Sequence, residues 1–194
     1  MPQAPLEHLL TYIKRNTLLM TVLERLPRLD LPGWYLGAGS IAQTVWNVRH
    51  GFEPTAHIRD YDVIYHDASD LSYEGEDRVI KRAVECFDEL PAPVEVRNQA
   101  RVHLWYEDHF GYPIEPIRSS EDAIDRWPII ATCMGLTMDR VGEIGLYAPY
   151  GLADTLGMIV RPNKRQITRT IYLGKANRWK DTWPEITVIP WNDE

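Results

Sequence analysis

The chain has only two cysteines, Cys86 and Cys133, in 194 residues, and neither sits in a CxxC or CxxH spacing. A disulfide-stapled scaffold and a cysteine-built zinc site are thereby excluded, and two free thiols are expected. No run of roughly 18 apolar residues occurs, so no membrane-spanning helix is expected, and the amino terminus has no unbroken apolar stretch of the secretory kind. Positive charge is not in excess: the formal net charge is −7. That balance argues against strong nonspecific binding of nucleic acid, and a polyanion bound here needs a metal or a local basic patch. Internal repeats and low-complexity tracts are also missing. With 44% hydrophobic and 25% charged residues, the expectation is a soluble, cytoplasmic protein folded as one domain over residues 1–194.

What the chain does have is concentrated between residues 34 and 65. Trp34, Tyr35 and Leu36 are strand formers, Gly37-Ala38-Gly39-Ser40 is a turn that lets backbone approach a ligand, and Ile41, Val45 and Val48 have helical spacing. A helix N-terminus is thus expected directly after a strand, with Ser40 as its N-cap and free N–H groups that suit a phosphate. Twenty residues later comes Arg59-Asp60-Tyr61-Asp62-Val63-Ile64-Tyr65. The period of two places Asp60 and Asp62 on one face of a strand. Two neighbouring carboxylates disfavour joint ionisation unless a cation lies between them, and hard oxygen donors suit Mg²⁺, with substrate phosphates completing its shell.

The turn and the carboxylate pair, Ala38-Gly39-Ser40 with Asp60-Tyr61-Asp62, resemble the nucleotidyltransferase fold, in which a third carboxylate follows on a later strand. Val94-Glu95-Val96 fits that position. The resemblance is closer to a bacterial family of small nucleotidyltransferase-like proteins and extends through AGSIAQTVW, RDYDVIY, VEVRNQARVHLWY, RWP, APYGLADTL and VRPN. The interval from Ser40 to Asp60 is longer than most members of the wider fold show. The resemblance implies an α+β fold, a short mixed sheet flanked by helices. It also implies transfer of a nucleotidyl group from an NTP, such as ATP, to a hydroxyl of an acceptor whose identity stays open: a small molecule, a protein or an RNA end. Asp60, Asp62 and Glu95 would be catalytic and would hold Mg²⁺, with Mn²⁺ as a substitute. Gly39 and Ser40 would take the phosphates through backbone N–H groups and the Ser40 hydroxyl. Asn98, Gln99 and Arg101, with His103, form a polar cluster after the Glu95 strand. They would either contact the nucleotide or tie down a strand end.

Around this core, residues 1–30 read as a helical segment in two pieces broken at Asn16-Thr17, residues 34–104 as the site-bearing part, and residues 119–194 as a helical and basic part. Tyr73 to Leu90 is expected to be a helix with Val79, Ile80, Ala83, Val84 and Phe87 inward. Residues 94–98 read as a strand, and periodicity leaves RVHLWYE undecided. A helix capped by Ser119 or Ser120 should precede Trp127-Pro128, a second should span about 129–139, Gly145–Ala148 should be a strand, and a helix should end near Pro162. The basic stretch Arg161, Lys164, Arg165, Arg169, Lys175, Arg178 and Lys180 either lines the site for a phosphorylated acceptor or is a solvated face. The seven tryptophans are mostly core, with base stacking by one of them left open.

Three other readings compete. Gly37-x-Gly39-x-x-Ala42 with Asp60 imitates a dinucleotide fingerprint, but two metal-like carboxylates and the order of elements oppose it. A metallohydrolase or phosphohydrolase could use His57, Asp60, Asp62 and His103, although HxRDxD is no zinc spacing. A regulatory protein that binds an NTP without catalysis would keep the same phosphate site.

Overall fold

The computed structural model describes residues 3–192. Helices α1 (Gln3–Ile13) and α2 (Thr17–Arg25) bury Leu9, Ile13, Leu19, Val22 and Leu23 on the three- and four-residue spacing that predicted them. The break between them is chemical. The Asn16 side chain accepts the Leu19 N–H at 2.9 Å as the N-cap of α2, and its amide donates to Thr44 Oγ1 at 2.8 Å. Fully buried, Asn16 thus ties the helix pair to the middle of the chain.

A five-stranded sheet follows, in the order β3-β2-β1-β4-β5, formed by β1 (Tyr35–Gly37), β2 (Tyr61–Tyr65), β3 (Val94–Asn98), β4 (Gly135–Met138) and β5 (Ile144–Tyr147). Within this sheet only β2 and β3 run parallel. They are joined by the crossover helix α4 (Tyr73–Phe87), which is capped by Ser72 and buries Ala83 and Phe87. Helix α3 (Gly39–Arg49) leaves the sheet directly from β1. The fold is the expected α+β arrangement, a small mixed sheet flanked by helices. No helix among the described residues is long and apolar enough to cross a membrane.

Several local expectations are corrected. Residues 129–139 form no α-helix: Ile130–Thr132 is a 3₁₀ turn and Gly135–Met138 becomes β4, paired with β1. The apolar run from Ile129 to Leu136 has no clear period, and the glycine decides it. A Cβ at Gly135 would stand 2.7 Å from Tyr35 Cβ, so this stretch is shaped to lie flat against its neighbour strand. Val84 is 57% exposed, because the buried line of α4 runs through Glu76 rather than to its side. RVHLWYE is a 3₁₀ helix (Gln99–Leu104) leading into α5 (Tyr106–Phe110), and α6 (Ser120–Arg126) is capped by Ser119. The helix expected to end near Pro162 is one turn, α7 (Ala153–Leu156), followed by β6 (Ile159–Val160).

The remaining long helix is α8 (Arg169–Thr182), capped by Thr168. It buries Tyr172, Ala176 and Trp179, and Trp179 and Trp183 meet Trp46 edge-on at centroid distances of 5.3 and 5.5 Å. Trp183 Nε1 donates to Asn47 Oδ1 at 2.8 Å, which fixes the end of α8 against α3. The carboxyl-terminal helix is thereby held against α3.

Candidate active site

A cavity of about 450 Å³ opens where β2, the head of α3 and the inner face of α8 meet. Its floor carries Asp60 and Asp62, Gly39 stands at the head of α3, and Lys175 and Arg178 enter from α8. Strand register explains the arrangement. Asp62 is paired with Gly37 on one side and with Glu95 on the other, so the carboxylate sits on the same sheet face as Glu95 and beside a residue with no side chain. Asp60 lies one residue before β2 on that same face.

The turn into α3 differs from the expected capped start. Its N-cap position is Ala38, with φ 58° and ψ −132°, a conformation that an L-residue adopts at a cost of about 1–3 kcal/mol. Ser40 lies inside the helix and is 2% exposed, and its hydroxyl donates to the Gly37 carbonyl at 3.1 Å. The serine therefore holds the turn closed, and the phosphate donors that remain on this side are the backbone N–H groups of the first helical turn.

Of the other sequence-selected residues, Gln99 lines the cavity, whereas Asn98 and Arg101 lie elsewhere. Asn98 is buried, accepting the N–H groups of Ala100 and Asp67 at 3.1 and 3.0 Å. The Arg101 guanidinium is paired with Glu76 of α4 and donates to the Leu71 carbonyl at 3.0 Å, while Glu76 also accepts the Asn98 N–H at 2.8 Å. These two residues tie the strand end to α4, the second of the two roles open from sequence. Glu95 is exposed beside the cavity, with its carboxylate 3.5 Å from Arg97 Nη2. His57 lines the cavity and His103 does not. Among the described residues no three His, Cys, Asp or Glu side chains converge as a ready-made metal cage.

The electrostatics are uneven. Arg59, Arg97, Lys175 and Arg178 line the cavity against Asp60 and Asp62, a local basic excess on an acidic chain. Burial, then the neighbouring Asp60, pushes the Asp62 carboxyl up to about 6, with Glu95 adding to the rise and Lys175 and Arg97 opposing it. Burial pulls the Lys175 ammonium below its ordinary range, and Arg178 adds to that, while Asp62 and Asp60 oppose it. Asp62, raised by burial and by the adjacent Asp60, is a carboxyl whose ionised form a divalent cation would favour. Two carboxylates without a full cage fit Mg²⁺ in particular, which keeps waters and shares its shell with substrate phosphates.

Lys175 and Arg178 had appeared in the sequence only as part of a basic stretch. Their neighbours in that stretch are engaged elsewhere: Arg161 pairs with Asp154 at 2.9 Å, Arg165 with Asp125 at 3.2 Å, and Lys180 donates to the carbonyls of Pro184 and Ile186 at 2.7 and 2.6 Å. The two cavity residues alternate on α8 with buried Tyr172, Ala176 and Trp179. That interleaving marks a partly buried helix face, though not the cavity beside it.

A glycine turn opening a helix, two carboxylates at the adjoining strand and a basic helix thus meet around one cavity of an α+β fold. The chain belongs to the Nucleotidyltransferase family, whose model matches residues 24–188. Among solved structures it is similar to a protein whose NMR structure is described as revealing a CCA-adding enzyme head domain, with 28% identity, a TM-score of 0.72, and coverage of 89% of this chain and 90% of that one. No curated protein matches it.

Proposed function

We propose that the protein is a Mg²⁺-dependent nucleotidyltransferase that moves an NMP group from an NTP to a hydroxyl acceptor. The observation that carries this reading is the meeting of Asp60, Asp62, Gly39, Lys175 and Arg178 around one cavity. Asp60 and Asp62, with Glu95 beside them, would hold Mg²⁺ or Mn²⁺, which when bound neutralises phosphate charge and polarises the reacting phosphoryl group.

The chain's own residues do the rest. Backbone N–H groups at the head of α3 and the cations Lys175 and Arg178 bind and orient the triphosphate. The acceptor oxygen forms a bond to the α-phosphorus, the bond from that phosphorus to the bridging oxygen breaks, and pyrophosphate leaves. Glu95, exposed beside the cavity, would take the hydroxyl proton. The two free thiols suit a cytoplasmic setting. An RNA end is one acceptor that the CCA-adding similarity brings forward, beside small molecules and proteins.

The exposed position of Glu95, outside the cavity lining, favours a second reading, an NTP-binding regulator without turnover. Pyrophosphate release with Mg²⁺ and mixed acceptors separates the two. Release that is lost in Asp60→Asn supports transfer, whereas NTP binding without release under any acceptor supports the regulator.

A further inference from the structure

Three segments of the resemblance, RWP, APYG and VRPN, converge on one short stretch of chain. The Asp125 carbonyl accepts the Tyr150 hydroxyl and the Asn163 amide, each at 2.8 Å, and the Asp125 carboxylate accepts the Tyr147 hydroxyl at 2.8 Å while pairing with Arg165 at 3.2 Å. Asn163, 4% exposed, donates its backbone N–H to the Pro128 carbonyl at 2.9 Å, and Ile129 bridges to Pro162. The stretch from Asp125 to Ile129 is thus held from both sides, and the residue at its centre is Trp127. A part-buried network of several hydrogen bonds, with buried Asn163 at its centre, restrains this stretch.

What the clamp presents is an indole at the cavity wall. Trp127 lines the cavity and is part-buried, whereas Trp179 and Trp183, on the same cavity, are 5% and 2% exposed and committed to packing on Trp46. The sheet makes room for it: a Cβ on Gly37 would stand 2.5 Å from Trp127 Cη2, and Gly37 is the cross-strand partner of Asp62. The ring therefore lies one strand away from the carboxylates that would hold the phosphates, with the Gln99 side chain lining the same cavity. A rigid, partly open aromatic face beside a phosphate site suits a flat heterocycle attached to that phosphate, because stacking needs no hydrogen-bond match.

Resting on the nucleotidyl-transfer reading, we propose that Trp127 stacks on the nucleobase of the bound NTP, and that Asp125, Tyr150 and Asn163 are positioning residues that hold the indole in place. Calorimetry with Mg²⁺ on the parent, Trp127→Ala, Trp127→Phe and Asn163→Ala, titrated with NTPs and separately with tripolyphosphate, tests this. Trp127→Ala should weaken NTP binding by roughly 5- to 100-fold and leave tripolyphosphate binding unchanged. Trp127→Phe should retain most of the affinity, and Asn163→Ala should show a smaller loss confined to the NTPs. Equal NTP binding by Trp127→Ala and the parent overturns the stacking assignment alone. Parallel loss of NTP and tripolyphosphate makes Trp127 structural and also overturns it. A parent that binds neither ligand overturns it together with the nucleotidyl reading. If Trp127→Ala does not fold, nucleotide-induced tryptophan fluorescence decides: the change should be largely lost in Trp127→Phe, and its full persistence contradicts the proposal.

Discussion

Replacing Asp62 by asparagine should make the ligand-free protein more stable at neutral pH while abolishing what the site is for. The carboxyl has an ordinary pKa of 3.8 and is raised to about 6 in the folded chain, so between those values the folded state holds a proton that the unfolded state has lost. Stability therefore falls as pH rises from about 4 to about 6, and the penalty stays in full above that window. The interval is worth about 3 kcal/mol without screening; access to solvent through the cavity mouth reduces this to about 1–2 kcal/mol. An amide in place of the Asp62 carboxylate carries no charge to desolvate and none to repel Asp60. In EDTA at pH 7.5, Asp62→Asn should then melt higher by roughly 2–8 °C, at about 2–4 °C per kcal/mol for a chain of this size, and the gain should vanish near pH 4. Thermal unfolding of parent and variant at the two pH values measures it. Destabilisation of the variant at pH 7.5, or a gain equally large at pH 4, would refute the electrostatic account of the carboxylate pair.

Lys175→Met should weaken Mg²⁺-NTP binding by roughly 10- to 100-fold, the loss expected for a charge-assisted contact, with the fold intact by circular dichroism. Unchanged affinity would remove α8 from the site. Arg101→Met should do the opposite, lowering stability by about 3–5 kcal/mol because buried Glu76 loses its partner, while the folded fraction binds NTP as the parent does; urea titration and calorimetry read the two effects apart. Gly37→Ala should cost about 1–3 kcal/mol by forcing a methyl against Trp127 and the Met134 carbonyl, and it should reduce NTP affinity as well, since the indole must shift.

The strand, turn and helix of residues 35–49 and the shared face of Asp60 and Asp62 were legible because each rests on a local rule: β-formers, a glycine turn, a period of two. The helix pair and its break at Asn16-Thr17 were legible for the same reason, since the signals for both lie within a few residues. Residues 129–139 were not, because Ile129 to Leu136 is apolar but for Thr132 and Gly135, without a clear period, and a neighbour, Tyr35 against Gly135, selects a strand. Arg101 is instructive in a different way. Its position after Glu95 and its charge suit a phosphate ligand, but the partner that claims it, Glu76, lies 25 residues earlier on another element. Lys175 and Arg178 looked like any solvated helical charges, since the sequence does not mark which face of α8 closes over a cavity. Ser40 shows that a motif residue can be correctly located and still act differently: it sits at the head of α3, yet its hydroxyl is spent inside the turn.

The most direct test of the central claim is calorimetric titration of the parent and Asp62→Asn with each of the four NTPs, first with Mg²⁺ and then with EDTA. The parent should bind at least one NTP only when Mg²⁺ is present, and Asp62→Asn, although folded and more stable, should bind none. Equal binding by the variant, binding that survives EDTA, or no binding by the parent would contradict the placement of a metal-held nucleotide at Asp60 and Asp62.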